Sequence, residues 1–448
     1  MNITGKKSSL FGKIQVPGSK SHTIRALLFA SLADGTSQIQ NPLGGEDCLS
    51  AARAVKLFGA ETDISRGDVW TIRGAGKNAH LPDNVVDVGN SGSLLYFTAP
   101  IAATFEGWSI FTGDSSIRKR PVLHLADALK QFGAEAYISR PAENAPPLII
   151  KGAVSGGKTI VTDGRLSQYI SGIMMAATRL NGTTKIELTD PKETPFLNMT
   201  RLWLESFGAN VKISDDYKHI EIRGKTEISA FNRVIPSDWE AVAFPLVAAL
   251  ITGSEIVIEN IDNSGSQGDA AIADILKSIG ANLKIQGGNL YVSKSRLSTR
   301  NLKGGELHVN LSGCPDALCA LAAASCFTEG TCVFEDIKVC RNKETDRIEV
   351  MQKELSALGA DIESGEDYLA VRGQPQFLSD GSKNPAFALH GGTVESYGDH
   401  RVAMSLACIS LALPEGQTLT IKDSECCAVS FPHFYDVMKK CGANFTQS

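Results

Sequence analysis

A unit of helix, Gly-Ala and hairpin recurs six times along the chain, and this repeat constrains the fold more than any other feature. In its first copy, residues 50–74, apolar side chains spaced three and four apart predict a helix that ends at Gly59. Glycine there can adopt the left-handed conformation that satisfies the last helical carbonyls. Two short alternating segments then predict a hairpin. The same pattern returns at Gly133, Gly208, Gly280, Gly359 and Gly442.

The sixth copy ends before a second strand can form, which would leave its sheet with a bare edge. We therefore expect residues 10–16 to supply the missing strand. The chain then divides into a continuous domain of repeats one to three, residues 17–233, and a discontinuous domain of repeats four to six, residues 1–16 plus 234–448. The repeats predict an α/β (α+β) protein of two domains, with a cleft and hinge between them.

Composition excludes several classes of protein. A chain of 448 residues is too long for one ordinary core. The net charge of −5 argues against a nucleic-acid binder, which needs a basic surface. No apolar run is long enough to span a bilayer or to act as a signal peptide, so we expect a cytoplasmic protein with no membrane partner. The ten cysteines lack zinc-type spacing, so we expect reduced thiols and no metal.

Polar and charged residues gather where the first helix of each repeat begins, near residues 20, 91, 167, 238, 316 and 400. In repeat one, Ser21 can cap a helix whose dipole favours an anion, and Lys20 and Arg25 add positive charge. The alternative is a capped helix with two solvated cations. In repeat two, small residues around Gly92 expose backbone amides, and Arg120 follows in a run of cations that could equally be solvated surface.

Repeats three and five also carry polar side chains at these helix starts. Ser167 and Gln168 could donate to a phosphate or a carboxylate, or could merely cap the helix. Asp316 precedes an alanine-rich helix, where a capping aspartate is the simpler interpretation.

The second helix of repeat five and the first of repeat six add more charge. Lys343 and Arg347 are four residues apart and would share a helix face, with Glu344 beside them as a candidate proton-transfer carboxylate. His400 and Arg401 follow at the next helix start. Together these residues predict a positive cleft for a small ligand with several negative charges, despite the acidic chain.

The assembled motifs resemble those of the enolpyruvyl transferases over nearly the whole chain. The resemblance rests on PGSKSHTIRALL (17–28), GNSGS (89–93), TGDSSIRKRP (112–121), PSDW (236–239), PDALCALA (315–322), RNKETDRIEVM (341–351) and DHRVAM (399–404). Ser115 stands where the UDP-N-acetylglucosamine branch usually has cysteine, which favours the shikimate branch. The resemblance implies a two-domain inside-out α/β barrel with three βαβαββ-type repeats per domain, six in all.

The resemblance also implies a reaction. It is transfer of the enolpyruvyl group of phosphoenolpyruvate (PEP) to the 5-hydroxyl of shikimate 3-phosphate, with release of phosphate, in chorismate and aromatic amino acid biosynthesis. No cofactor is implied, and we expect a monomer. The implied catalytic residues are Lys20, Asp316 and Glu344. The implied PEP-binding residues are Lys20, Gly92, Arg120, Gln168, Arg347, His400 and Arg401. The implied acceptor-binding residues are Lys20, Ser21, Arg25, Ser167, Gln168, Asp316 and Lys343.

Five positions depart from the family pattern. Val429 stands in place of a lysine and Tyr96 in place of an arginine, which removes two cations expected near PEP. Leu166, Glu193 and Phe196 stand where hydroxyl-bearing residues are expected near the acceptor phosphate, and a carboxylate there would repel it. Two alternatives therefore stay open: an enolpyruvyl transferase with a different hydroxyl acceptor, and a ligand-binding relative without turnover.

Overall fold

Six repeats, each of two helices and a four-stranded sheet, build the described part of the computed structural model, which is residues 1–140, 142–378 and 380–447. By its internal contacts the chain separates into a discontinuous unit, Met1–Pro17 with Ser237–Ser448, and a continuous unit, Gly18–Pro236. Each unit holds three repeats.

The elements of the described residues follow the order expected for the repeat. The α-helices are α1 Lys20–Leu32, α2 Glu46–Ala54, α3 Gly92–Ala102, α4 Leu123–Phe132, α5 Ser167–Ala177, α6 Thr194–Glu205, α7 Trp239–Thr252, α8 Ala271–Ser278, α9 Leu318–Ser325, α10 Arg347–Ala357, α11 His400–Ala412 and α12 Phe434–Lys440. The strands are β1 Ile3–Lys6, β2 Lys13–Gln15, β3 Asp34–Gln40, β4 Glu61–Asp63, β5 Val69–Ala75, β6 Val86–Asp87, β7 Gly107–Thr112, β8 Glu135–Ile138, β9 Leu148–Gly152, β10 Thr159–Thr162, β11 Thr183–Leu188, β12 Val211–Ile213, β13 His219–Arg223, β14 Asn232–Val234, β15 Ile256–Glu259, β16 Asn282–Gln286, β17 Asn289–Ser293, β18 Glu306–Asn310, β19 Gly330–Glu335, β20 Asp361–Ser364, β21 Tyr368–Gly373, β22 Gly392–Glu395, β23 Thr418–Lys422 and β24 Asn444–Gln447.

The Gly-Ala pair that ends the second helix of each repeat forms the same cap in all six copies. The six glycines have left-handed backbones, with φ from 82° at Gly208 to 110° at Gly133. The N–H of Gly133 donates to the carbonyl of Lys130 at 3.0 Å, and that of Ala134 donates to Leu129 at 2.9 Å. This pair of bonds defines the Schellman motif, and the other five copies have its equivalent. The predicted helix ends are confirmed.

We expect Gly133→Ala to lower the free energy of unfolding by about 1 kcal/mol, because an L side chain is strained at positive φ. Its Cβ would meet nothing closer than Cε of Lys158, at 3.9 Å. Gly442→Ala should cost more, since its Cβ would lie 2.5 Å from the carbonyl oxygen of Ser9. Urea unfolding measures both variants. An unchanged midpoint for Gly133→Ala would contradict the role of the left-handed cap.

The six sheets share one order. In each, the first strand runs parallel to the second, and two antiparallel strands follow, as in β6-β7-β9-β8 and β18-β19-β21-β20. The remaining sheets are β14-β3-β5-β4, β10-β11-β13-β12, β2-β15-β17-β16 and β22-β23-β1-β24. Burial alternates along strands such as β11, so each sheet turns one face to a core.

The strand that completes the sixth repeat is β1, not residues 10–16 as the sequence suggested. Ile3 pairs with Ile421 on one side and with Gln447 on the other. Gly5 lets this strand lie close to α11, because a Cβ there would sit 1.9 Å from Oγ of Ser410. The segment 10–16 instead contributes β2, which runs parallel to β15 in the sheet of repeat four. In the continuous unit, β14 closes the sheet of repeat one in the same way.

The first helix of each repeat lies inside its unit, and the sheets lie outside. Every residue of α9 and α11 is buried, so these helices are enclosed on all sides. Helix α11 packs against α7 and α9 in the discontinuous unit, and α3 packs against α1 and α5 in the continuous unit. This is the inside-out arrangement that the resemblance implied. None of the helices in the described residues is long and apolar enough to cross a membrane.

Candidate active site

Lys20 is the first residue of α1, and its ammonium group pairs with a buried carboxylate. Its Nζ lies 3.6 Å from Oδ2 of Asp47, and the two side chains are only 13% and 8% exposed. Ser19, rather than Ser21, caps the helix, since its Oγ accepts from the N–H of His22 at 3.5 Å. Ser21 lies in the first turn. The positive charge at the start of α1 is therefore paired with a carboxylate, and the backbone N–H groups of the first turn favour an anion.

Arg25 lies one turn further along α1 and is buried. Its guanidinium donates to the hydroxyl of Thr200 at 3.0 Å and to the carbonyls of Ser21 at 3.1 Å and Phe196 at 3.2 Å. A longer bond of 3.4 Å reaches Oγ of Ser171. Burial lowers the pKa of Arg25 to about 9, and no carboxylate of the described residues offsets that effect. A buried cation without a carboxylate beside it is suited to an anionic ligand.

Arg120 lies against the start of α3. Its Nη2 donates to Oδ1 of Asn90 at 3.0 Å. A Cβ on Gly92 would lie 2.9 Å from Nη1 of Arg120, so glycine makes room for the guanidinium. Tyr96 donates its hydroxyl to the carbonyl of Pro121 at 2.7 Å. Tyr96 therefore fixes the backbone next to Arg120 without adding charge.

The start of α5 already holds an anion from its own chain. The backbone N–H and Oγ of Ser167 both donate to Oε2 of Glu193, at 3.2 Å and 3.1 Å. Gln168 donates to Oγ of Ser93 at 3.3 Å, which places the starts of α5 and α3 side by side. Arg165 is 62% exposed and pairs with Asp190 at 2.9 Å. The three helix starts of the continuous unit thus present donors and cations.

His124 is a titratable group packed among aromatic rings of the continuous unit. Its ring centroid lies 5.5 Å from that of Tyr96 and 4.7 Å from that of Tyr169. Its Nε2 has no hydrogen-bond partner among the described residues. Burial lowers the pKa of His124 to about 4.

We expect the free energy of unfolding to fall as the pH drops from about 6.5 to about 4, because the unfolded chain protonates this histidine first. His124 contributes about 3 kcal/mol at most to this fall in the free energy of unfolding. Urea midpoints measured across this range should vary less for His124→Phe than for the parent protein. The exposed His219 provides a control, His219→Phe, that should keep the parent slope. If the urea midpoint changed equally with pH in all three proteins, His124 would not be the cause of the pH dependence.

Asp316 lies at the centre of the charged cluster in the discontinuous unit. It precedes α9, and its carboxylate pairs with Arg347. Nζ of Lys343 lies 3.6 Å from Oδ2, and Nε of Arg401 lies 3.1 Å from Oδ1. Three cations from two helices and one turn therefore surround a carboxylate whose side chain is 13% exposed.

Arg347 binds three carboxylates at once. Besides Asp316, its Nη2 lies 2.7 Å from Oε2 of Glu344 and its Nε lies 2.8 Å from Oδ2 of Asp399. Burial would lower the pKa of Arg347, but the three negative charges outweigh it and raise this pKa well above the usual value. For the carboxylate of Asp399 the effects are reversed. Burial alone would raise the pKa of Asp399, but the positive charge of Arg347 outweighs burial and holds this pKa below its usual value.

Lys343 and Arg347 do not share a helix face, contrary to the prediction. Helix α10 begins only at Arg347, and Lys343 lies in the turn after a short 3-10 segment, Lys338–Asn342. The side chain of Asp346 accepts a hydrogen bond from the N–H of Glu349 and so caps α10. The turn that contains Lys343 ends at this cap. Lys343 still reaches the shared carboxylate because the turn folds back over the start of α9.

Arg401 and His400 begin α11. Asp399 caps this helix, with Oδ1 accepting from the N–H of Arg401 at 2.9 Å. The Arg401 guanidinium pairs with Glu240 from the first turn of α7. Burial would lower the pKa of Arg401, but Asp316 and Glu240 raise it above its usual value. His400 is the first residue of α11 and is also buried. The starts of α7, α9 and α11 therefore meet at one cluster.

Four carboxylates of these clusters were missed in the sequence: Asp47, Glu240, Asp269 and Asp399. Burial, followed by the charges of Glu240 and Asp316, raises the pKa of Asp269 well above its usual value. Its Oδ1 has no hydrogen-bond partner among the described residues. The available sequence signal was only an acidic residue at a helix start, which the helix dipole favours in any protein.

The comparisons with known proteins cover both units. The family EPSP synthase (3-phosphoshikimate 1-carboxyvinyltransferase) matches residues 4–438. A 3-phosphoshikimate 1-carboxyvinyltransferase of Acetivibrio thermocellus is 39% identical over 446 residues, covering 100% of this chain and 99% of that protein. One from Methanocaldococcus jannaschii is 35% identical over 445 residues, covering 99% and 98%.

A solved structure shows the same similarity in three dimensions. EPSP synthase from Acinetobacter baumannii superposes with a TM-score of 0.80 at 27% identity, over 100% of both chains. The family match, the relatives and the fold all extend over both units. The chain therefore belongs to the EPSP synthase family.

Proposed function

We propose that this protein transfers the enolpyruvyl group of PEP to the 5-hydroxyl of shikimate 3-phosphate and releases phosphate, as a step of chorismate and aromatic amino acid biosynthesis. Family membership over the whole chain supports the reaction class. The observation that carries the proposal is the carboxylate of Asp316, surrounded by Lys343, Arg347 and Arg401, with Glu344 on the same arginine. Two carboxylates among cations suit proton transfer to and from anionic substrates.

The addition step needs two proton transfers, and the elimination step needs a third. A proton goes to the methylene carbon of PEP, and the acceptor hydroxyl loses its proton as its oxygen attacks the adjacent carbon. The tetrahedral intermediate then loses phosphate and returns a proton from the methyl group, which leaves the enol ether. We assign proton transfer to Asp316 and Glu344, and stabilisation of developing negative charge to Lys20. An anionic substrate at Arg347 would favour the protonated form of Glu344, which is the form that can act as an acid.

The remaining assignments follow charge and donor geometry. For PEP we propose Lys20, Gly92, Arg120, Gln168, Arg347, His400 and Arg401. For the acceptor we propose Lys20, Ser21, Arg25, Ser167, Gln168, Asp316 and Lys343. The buried guanidinium of Arg25 suits the acceptor carboxylate, because its present partners are all neutral. Arg120 lies against the start of α3, where its guanidinium donates to Asn90 and Ser116, and this position supports its assignment to PEP.

The decisive experiment measures phosphate release by the purified protein with PEP and shikimate 3-phosphate together, and with each alone. We expect release only with both substrates. Glu344→Gln keeps the shape of the side chain and should lose release. The exposed Glu363, which pairs with Arg372, provides a matched control, Glu363→Gln, that should retain it. Release with PEP alone would contradict the proposal.

A different acceptor is the second candidate, and the contact between Glu193 and Ser167 favours it, because a carboxylate already occupies those donors. Absence of release, combined with thermal stabilisation by PEP but not by shikimate 3-phosphate, would support this candidate. Stabilisation by neither ligand would favour a relative without turnover.

We also propose a cytoplasmic monomer of two domains, residues 17–233 and residues 1–16 plus 234–448, that needs no cofactor and binds no nucleic acid. The net charge of −5 supports the last point. Sedimentation at several concentrations tests the monomer, and limited proteolysis tests the domain boundaries.

A further inference from the structure

We propose that Glu193 controls affinity for the acceptor, because its carboxylate occupies the donors at the start of α5 and an acceptor phosphate must displace it. The inference rests on the proposed function, since it takes shikimate 3-phosphate as the acceptor. It adds a specificity-determining residue that acts by competing with the substrate.

The local backbone holds Glu193 at this position. The residue immediately precedes α6 and has a left-handed φ of 51°, which is uncommon for a residue other than glycine. The segments leading to α5 and α6 run side by side, with the N–H of Lys192 donating to the carbonyl of Gly164 at 3.1 Å. Glu193 is only 3% exposed. Its carboxylate is therefore directed by the fold to the start of the neighbouring helix.

Glu193 also supplies the cap that α5 otherwise lacks. Leu166 occupies the N-cap position and has no side-chain oxygen to accept a hydrogen bond. The N–H and the hydroxyl of Ser167 instead donate to the same oxygen of Glu193. Because helix N-terminal donors and the helix dipole favour an anion, a carboxylate there is a stable intramolecular occupant.

A phosphate group needs the same kind of donors and carries more charge than a carboxylate. Two anions cannot share the donors of Ser167 in a buried site, because they repel each other there. The acceptor phosphate therefore binds to Ser167 only after Glu193 leaves. The free energy needed to displace Glu193 lowers the affinity for the acceptor. The affinity for PEP is not affected, because PEP binds to its own cations.

The test compares the parent protein with Glu193→Gln and with a control at the other end of α6, Glu205→Gln. Glutamine keeps an oxygen that can cap α5, so the fold should be retained, but it has no charge. Glu205 is an exposed carboxylate paired with Arg201. In phosphate-release assays, we expect the KM for shikimate 3-phosphate to fall about tenfold in Glu193→Gln. The KM for PEP should stay the same, and the control should match the parent. An unchanged or higher KM for shikimate 3-phosphate would overturn the inference.

A binding measurement separates this inference from the proposed function. Without PEP, the thermal midpoint of each protein is followed against inorganic phosphate and against shikimate 3-phosphate. Glu193→Gln should be stabilised more than the parent by both ligands. Equal stabilisation of parent and variant would overturn the inference even if turnover is found. Greater stabilisation of the variant would support the inference even if the parent shows no turnover. Absence of turnover would then count only against the proposed function.

Discussion

Lys20→Met is expected to reduce phosphate release from PEP and shikimate 3-phosphate by about 10³-fold or more. The charge of Lys20 sits at a helix start in a mostly buried position, where no solvent cation replaces it. Steady-state assays at saturating concentrations of both substrates measure the loss. Activity equal to that of the parent would remove Lys20 from the proposed mechanism.

Lys20→Met should also destabilise the protein, because the substitution leaves the buried carboxylate of Asp47 without this ammonium group. Breaking a buried pair from one side costs about 3 kcal/mol. The double variant with Asp47→Asn should recover most of that free energy of unfolding while staying inactive. If the double variant regained turnover, Lys20 would serve only to neutralise Asp47.

Arg347→Met is expected to have the largest effect on stability, about 3–5 kcal/mol in the free energy of unfolding, together with loss of turnover. It leaves the buried carboxylate of Asp399 and the partly buried carboxylates of Asp316 and Glu344 without their shared cation. Urea unfolding at pH 7 measures the loss. Lower pH should reduce the difference between parent and variant, because the carboxylates can then bind protons.

Arg372→Met provides the matched control for this effect. Arg372 also pairs with two carboxylates, Asp361 at 3.2 Å and Glu363 at 3.0 Å, but its side chain is 46% exposed. Solvent screens such pairs, so the control should change the free energy of unfolding by less than about 1 kcal/mol. Equal losses for the two variants would show that burial does not decide the strength of these clusters.

The fold was predictable where the signal is local. A Gly-Ala pair after an apolar helix specifies two hydrogen bonds within six residues, and Gly133 and its five counterparts all form them. Strand pairing is not local. Residues 3–6 and 10–16 lie close together in the sequence, yet they join sheets of different repeats, and no local pattern distinguishes their partners.

The site was predictable for its cations and less so for its carboxylates. Lys20, Arg347 and Arg401 stand out because several cations at helix starts are unusual in an acidic chain. Asp47 and Asp399 resemble ordinary residues of a first turn or a cap, so only three-dimensional packing identifies them as counterions. The position of Lys343 was missed because the helix begins four residues later than the spacing suggested.

The place of β1 between β23 and β24 has a consequence for how the chain folds during synthesis. The ribosome makes β1 long before it makes the two neighbouring strands, β23 and β24. At about 5–20 residues per second, the nascent chain waits on the order of 20–80 s between Lys6 and Thr418. The continuous unit has all its strands once β14 has emerged, and it can then fold on the ribosome. The other unit can close the sheet that contains β1 only after β24 has emerged.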